Sequence, residues 1–116
     1  TTIVPDFEDW RRPFYDFGRI VRNQKGELMS IIEKKDATEE QLAIREVNPS
    51  FFCFSGPWLK ENLFKLTNTN AQKEYYLTDL LGIAIQQGAP IASLDISPLE
   101  TIGVNTAEHL ELAHSL

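Results

Sequence analysis

The apolar run Phe51-Phe52-Cys53-Phe54 and the stretch Ile91 to Ile96 interleave with segments whose leucines recur at helical spacing, and this alternation constrains the fold more than any other feature. Phe51 to Phe54 is too short for a helix and apolar on both faces, as a central strand is. After Gly56-Pro57, a pair suited to opening a helix, Leu59, Leu63 and Leu66 follow at helical spacing. Leu77, Leu80, Leu81, Ala84 and Ile85 then form one buried stripe, and Gly88 is placed to end that helix in the left-handed conformation. Ile91 to Ile96 reads as a further strand, and a last helix starts near Thr106 and runs to Leu116.

The first half carries local signals of another kind. Thr1 to Val4 reads as a strand broken by Pro5, followed by an irregular stretch with Phe7, Trp10, Phe14 and Tyr15, aromatics better suited to packing than to lining a pocket. Gly18 to Arg22 and Leu28 to Glu33 flank Asn23-Gln24-Lys25-Gly26, a glycine-containing hairpin connection. Thr38-Glu39-Glu40-Gln41 fits a capping box, so a short helix is expected from there to about Arg45. The order is strand, hairpin, short helix, strand, two helices, strand, helix. It describes an α/β chain with helices over a sheet. Few strands share the two apolar faces, so the chain reads as a cut piece with exposed sheet edges, which favour self-association.

Composition narrows the function classes. Seventeen acidic residues against eleven basic ones give a formal charge of -6, which repels phosphate backbones and acidic membranes, so neither nucleic acid nor membrane is an expected partner. No apolar run approaches the length of a membrane span. The lone Cys53 can form no disulfide within the chain, which suits a reducing, cytoplasmic setting; its apolar neighbours favour a buried thiol on a strand. His109 and His114 are five apart, off the shared face of an i, i+4 metal pair, and no glycine-rich phosphate loop is present.

Four polar positions sit where elements end: Gly18 at the start of the hairpin, Glu33 at its close, Asn48 just before the apolar run, and Asn105 just before the last helix. Such ends are where α/β sheets bind ligands. Each also admits a purely structural role: Gly18 relaxing a strand, Glu33 pairing with Lys35 on the surface, Asn48 in a turn before Pro49, Asn105 as a helix cap. Spacing alone assigns no enzyme class.

Longer strings do more. Phe17-Gly18-Arg19-Ile20-Val21-Arg22, Ile31-Ile32-Glu33-Lys34-Lys35-Asp36-Ala37-Thr38-Glu39-Glu40-Gln41 and Ile44-Arg45-Glu46-Val47-Asn48 occur in order. Asn68-Thr69-Asn70-Ala71-Gln72-Lys73-Glu74-Tyr75-Tyr76-Leu77-Thr78-Asp79 and Gly103-Val104-Asn105 continue them. Together they resemble the sugar-1-phosphate nucleotidyltransferases, in particular the later half of the pyrophosphorylase (uridylyltransferase) domain of the bacterial bifunctional UDP-N-acetylglucosamine pyrophosphorylase and acetyltransferase. The resemblance runs from about Phe17 to Leu112. It implies a partial Rossmann-like fold with a mixed sheet, and residues 1–116 as the sugar-side portion of that domain. The implied reaction joins UTP to N-acetylglucosamine 1-phosphate with Mg²⁺. Gly18, through its backbone, Glu33 and Asn48 would contact the amino sugar, and Asn105 would help hold Mg²⁺ and the phosphates. The glycine-rich nucleotide loop and the metal-binding aspartate of that family have no counterpart here, so the chain alone is expected to be inactive.

Two departures stand out: Phe17 where the family commonly has tyrosine, and Pro49-Ser50 where it has threonine-glycine. They leave open a transferase for another hexose 1-phosphate, or a non-catalytic binding module of the same shape.

Overall fold

A computed structural model describes all 116 residues. Four antiparallel strands form one open sheet in the order β1 (Thr2–Ile3), β4 (Glu46–Asn48), β2 (Gly18–Arg22), β3 (Leu28–Ile32). Helices α1 (Glu39–Leu42), α2 (Gly56–Asn62), α3 (Asp79–Gln86) and α4 (Ala107–Ser115) flank it. The α/β class with a hairpin and flanking helices therefore holds, and every strand pairing is antiparallel.

The local signals produce their elements. Gly26 takes φ 79° in the connection between β2 and β3. Thr38 Oγ1 accepts from the Gln41 N–H at 3.2 Å while Gln41 Oε1 accepts from the Thr38 N–H at 2.9 Å, so the capping box is complete. The helix it opens is only one turn long and stops at Leu42, short of Arg45, because nothing buries it. In α3, Leu80, Leu81 and Ala84 of the expected stripe are buried and Gly88 follows at φ 65°, whereas Ile85 is half-buried and Leu77 lies before the helix and is exposed.

The sheet's faces pack against different partners. On one, Val4, Phe14 and Val47 form a core with Phe7, Trp10, Phe17 and Ile102 around it. The aromatics of the Asp9–Asp16 3-10 segment thus pack the sheet, as expected. On the other, Ile20 and Ile31 meet Leu81 of α3, with Leu28 and Phe52 beside them. Only 15 of 116 residues are buried, and the radius of gyration is 14.9 Å against about 13 Å for a compact domain of this length, so the packing is open.

Three expectations are corrected. Phe51–Phe54 is not a strand: β4 ends at Asn48, Pro49 offers no N–H to continue a ladder, and Ser50 at φ 65° turns the chain off the sheet. Phe52, Phe54 and Trp58 stack on one another instead, at centroid separations of 5.7 and 6.0 Å, leaving Phe51 69% exposed and the Cys53 thiol exposed rather than buried. Ile91–Ile96 is likewise irregular; two-residue β1 supplies one rung, where the Ile96 N–H donates to the Thr1 carbonyl at 3.0 Å and Thr2 Oγ1 donates to the Ile96 carbonyl at 2.7 Å. The leucine stripe from Leu59 to Leu66 also fails, since α2 stops at Asn62 and Leu63 is exposed. The buried residue there is Asn62, whose amide donates to the Trp58 carbonyl and accepts from Lys65 and Gln87.

Candidate functional site

Strand register brings three of the four singled-out residues into one row. Gly18 pairs with Asn48 across β2 and β4, and Arg19 pairs with Ile32 across β2 and β3, so the next rung sets Gly18 opposite Glu33. Residues directly opposite in antiparallel strands project to the same face. Glu33, Gly18 and Asn48 therefore line up across three adjacent strand ends, on the face that carries Ile20, Ile31 and α3.

Glycine at the centre of this row is a requirement of space. A Cβ on Gly18 would stand 3.0 Å from Ile31 Cγ2, which would have to give way, and would touch Glu33 Oε1 at 3.4 Å. The missing side chain leaves a notch beside the Glu33 carboxylate, with Asn48 in register on the neighbouring strand.

Glu33 does not pair with Lys35. Its Oε1 accepts from the buried Thr78 hydroxyl at 3.2 Å, and Lys35 instead donates to Gln72 Oε1 at 2.7 Å. Burial raises the Glu33 carboxyl above the ordinary glutamate range; the Thr78 hydrogen bond opposes that rise, while Asp36 and Asp79 add to it. The Asp79 carboxyl is also raised, by burial first and then by Asp36. Glu33, Ser50, Phe52 and the segment Tyr75, Tyr76, Leu77 and Thr78 enclose a cavity of about 230 Å³. That is below the roughly 300–1,000 Å³ of complete small-molecule sites, enough for part of a ligand. Asn48 borders a larger apolar groove of about 800 Å³ under Phe51–Phe54, and Phe52 is the wall common to both.

Asn48 is buried in β4, and it is also a turn residue: its Oδ1 accepts from the Ser50 N–H at 2.9 Å. Asn105 is not the cap of α4, a part taken by Thr106, whose Oγ1 accepts from the His109 N–H at 3.2 Å. Asn105 is exposed, and no hydrogen bond ties its side chain to the row. Its Nδ2 lies 3.9 Å from where a Gly103 Cβ would stand, beside Phe17, the residue that precedes Gly18. Asn105 offers one amide oxygen, and no group of three or more acidic, histidine or cysteine side chains is arranged so as to hold a metal ion. Mg²⁺ prefers six oxygens in an octahedron, so the residues present do not by themselves make a Mg²⁺ site.

The segment Tyr75 to Thr78, which walls the cavity and orients Glu33, carries no motif in the sequence that marks it as part of a site. Thr78 and Asp79 at the head of a well-marked helix were the available signal. The loop is tied to the Lys34–Asp36 turn: Asp36 Oδ1 accepts from the Ala71 N–H at 2.8 Å, and Gln72 links Lys35 to the Tyr76 hydroxyl.

The chain is 53% identical over 94 residues to the bifunctional protein GlmU of Alkaliphilus oremlandii, an alignment covering 80% of this chain and 21% of that protein. The chain is similar to part of GlmU. With GlmU of Brevibacillus brevis it shares 43% identity over 116 residues, 99% of this chain and 24% of the relative. With that of Clostridium acetobutylicum it shares 44% over 90 residues, 78% and 20%. The resemblance carried by the strings between Phe17 and Asn105 thus holds over nearly the whole chain, which spans about a fifth to a quarter of the length of these GlmU proteins. No protein-family model matches the chain. No helix is long and apolar enough to cross a membrane.

Proposed function

We propose that this chain is the sugar-side portion of a cytoplasmic, Mg²⁺-dependent nucleotidyltransferase that makes a UDP-sugar, UDP-N-acetylglucosamine, from UTP and the sugar 1-phosphate. The observation that carries the reading is the Glu33–Gly18–Asn48 row beside a partly enclosed cavity walled by Glu33, Ser50, Thr78 and aromatic rings, in a chain similar to GlmU over nearly its full length. A neutral sugar presents hydroxyls and an amide, each able to meet a carboxylate or a carboxamide. The Gly18 notch lets the sugar approach the backbone closely, with Glu33 on one side and Asn48 on the other. Asn105, at the same end of β2, would face Mg²⁺ and the phosphates. Mg²⁺ would neutralise phosphate charge, and its remaining oxygen ligands must come from outside this chain. The chain's own share of the work is to bind and orient the sugar 1-phosphate.

Two measurements test this. The isolated chain, mixed with UTP, Mg²⁺ and N-acetylglucosamine 1-phosphate, is expected to release no pyrophosphate; turnover would refute the assignment of one side only. In the whole protein, Glu33→Gln should raise KM for the sugar 1-phosphate and leave KM for UTP within about twofold, since the proposed role of the row is contact with the sugar alone. Equal increases in both would refute the assignment of the row.

A further inference from the structure

The chain between η-type turns and α3, from Leu66 to Thr78, is held to the molecule by very little. No backbone–backbone hydrogen bond joins it to the sheet, and Thr78 is its one buried residue. Tyr75 is 68% exposed and Leu77 44%, and a segment with so few buried apolar contacts opens at low free energy. Yet it is shaped in advance. The Asn70 amide brackets Glu74, its Oδ1 accepting from the Glu74 N–H at 3.1 Å and its Nδ2 donating to the Glu74 carbonyl at 2.5 Å. Between them Lys73 is held at φ 56°, a left-handed conformation that a lysine keeps only where its surroundings impose it. A turn so tied moves as a unit.

Its attachment is a two-point clasp on the Lys34–Asp36 turn. The Ala71 N–H donates to Asp36 Oδ1 at 2.8 Å, and Lys35 Nζ donates to Gln72 Oε1 at 2.7 Å. Adjacent residues of the turn, one cationic and one anionic, thus meet adjacent residues that offer an acceptor and a donor. An ammonium can only donate, so Gln72 turns its oxygen to Lys35 and gives its Nε2 hydrogen to the Tyr76 hydroxyl, 2.9 Å away. Two residues on, the Thr78 hydroxyl donates to Glu33 Oε1. Glu33 directly precedes the turn, so the bonds run in a closed circuit from the turn through Gln72, Tyr76 and Thr78 back to Glu33. Glu33 and Tyr75 to Thr78 line the cavity of about 230 Å³, while Lys35, Asp36, Ala71 and Gln72 do not. The clasp therefore sits outside the cavity and fixes its wall.

We propose that residues 66–78 are a movable strap forming one wall of that cavity, and that Asp36 and Lys35 are the clasp that closes it. Both are positioning residues: the closed clasp sets Tyr76 and Thr78, and through Thr78 it holds Glu33 in place. The inference rests on the sugar-side reading above and adds to it the device that admits and retains the ligand. A cavity below the roughly 300–1,000 Å³ of complete small-molecule sites has to widen for a ligand to pass. Releasing two exposed hydrogen bonds frees the whole wall at once, without disturbing the sheet behind it.

Asp36→Ala removes the acceptor for the Ala71 N–H, while Asp36→Asn keeps an oxygen there. Asp36 is exposed, so neither variant touches the core. Hydrogen exchange in the whole protein, read by mass spectrometry, follows the strap, and steady-state kinetics follow the site. In Asp36→Ala the amides of residues 66–78 should exchange roughly tenfold faster, while those of β2 and β3 keep their rates. KM for N-acetylglucosamine 1-phosphate should rise about fivefold or more, with KM for UTP within about twofold of wild type. Asp36→Asn should restore most of both. Unchanged exchange of the strap in Asp36→Ala would overturn the clasp. Equal rises in the two KM values, or faster exchange in β2 and β3 as well, would make Asp36 a structural residue only and overturn its positioning role. A sugar-phosphate KM unchanged in Asp36→Ala but raised in Glu33→Gln would overturn the strap's role and leave the sugar-side reading standing. A KM unchanged in both variants would overturn that reading, and the strap's role with it.

Discussion

Replacing Arg19 by lysine should weaken this fold severely although the charge is kept. Arg19 is 0% exposed and has no carboxylate partner. Its guanidinium instead fans out to three backbone carbonyls: Tyr15 at 3.0 Å, Leu42 at 3.4 Å, and Phe17. It also lies 4.9 Å from the centroid of the Phe7 ring and 5.1 Å from that of Tyr15. Loss of hydration lowers its pKa, and nearby Tyr15 and Asp16 oppose that. One side chain thereby joins β2 to the 3-10 segment and to the end of α1, next to Gly18. A lysine ammonium concentrates its donors at one point and cannot span the fan. Losing one charge-assisted hydrogen bond and the ring contact costs roughly 2–4 kcal/mol. At about 0.05–0.15 kcal/mol per residue the whole chain is worth of the order of 6–17 kcal/mol, and its small core argues for the low end. Urea unfolding followed by circular dichroism should therefore show a midpoint lowered by about 1–2 M. A midpoint within about 0.3 M of wild type would show that the charge alone, not the fan of bonds, holds the segment.

Glu33→Gln should stabilise the fold at neutral pH. Burial raises the folded-state pKa of Glu33, so its favourable contribution is full below the unfolded-state pKa and is lost as pH rises through the folded-state value. The variant's advantage should vanish in acid; an advantage that grows as pH falls would contradict this in denaturation measured across pH. Thr38→Ala should cost about 1 kcal/mol by removing the cap of α1, measured by urea unfolding, and no change would mean that this turn is already frayed. The outer edge of β3 carries Met29 and Ser30 with no lysine or proline to guard it, so concentrated protein should self-associate in light scattering and Ser30→Lys should reduce it. A clean monomer at high concentration would refute that edge's role.

What was legible in the sequence follows from the range of each interaction. The hairpin, the capping box and the stop at Gly88 are decided within a few residues, and all three form as read. Phe51–Phe54 misled because an apolar run says that burial is sought and not by what. Its alternate aromatics find one another and Trp58 rather than a sheet. Asn62 was invisible because one of its partners, Gln87, is 25 positions away, although Trp58 and Lys65 lie within a turn of it. The candidate site stands between these cases. Each residue could be singled out where an element ends, but the row needs Gly18 to meet Asn48 thirty positions away, a matter of register.

The two departures from the family pattern acquire a physical meaning from that register. Phe17 packs at 5.2 Å on Phe14 and beneath Gly103, a contact made by the ring that needs no tyrosine hydroxyl. Ser50 stands where the family has glycine and takes φ 65°, the left-handed conformation that glycine reaches freely. A serine there costs on the order of 1 kcal/mol, and the Asn48 Oδ1 to Ser50 N–H bond offsets a comparable amount. The turn that directs Asn48 is thus kept without its glycine, through the side chain that it orients. Asn48 cannot be exchanged for a residue lacking that oxygen without releasing the turn, and Ser50→Gly should relax the strain while keeping the bond from the residue-50 N–H to Asn48 Oδ1.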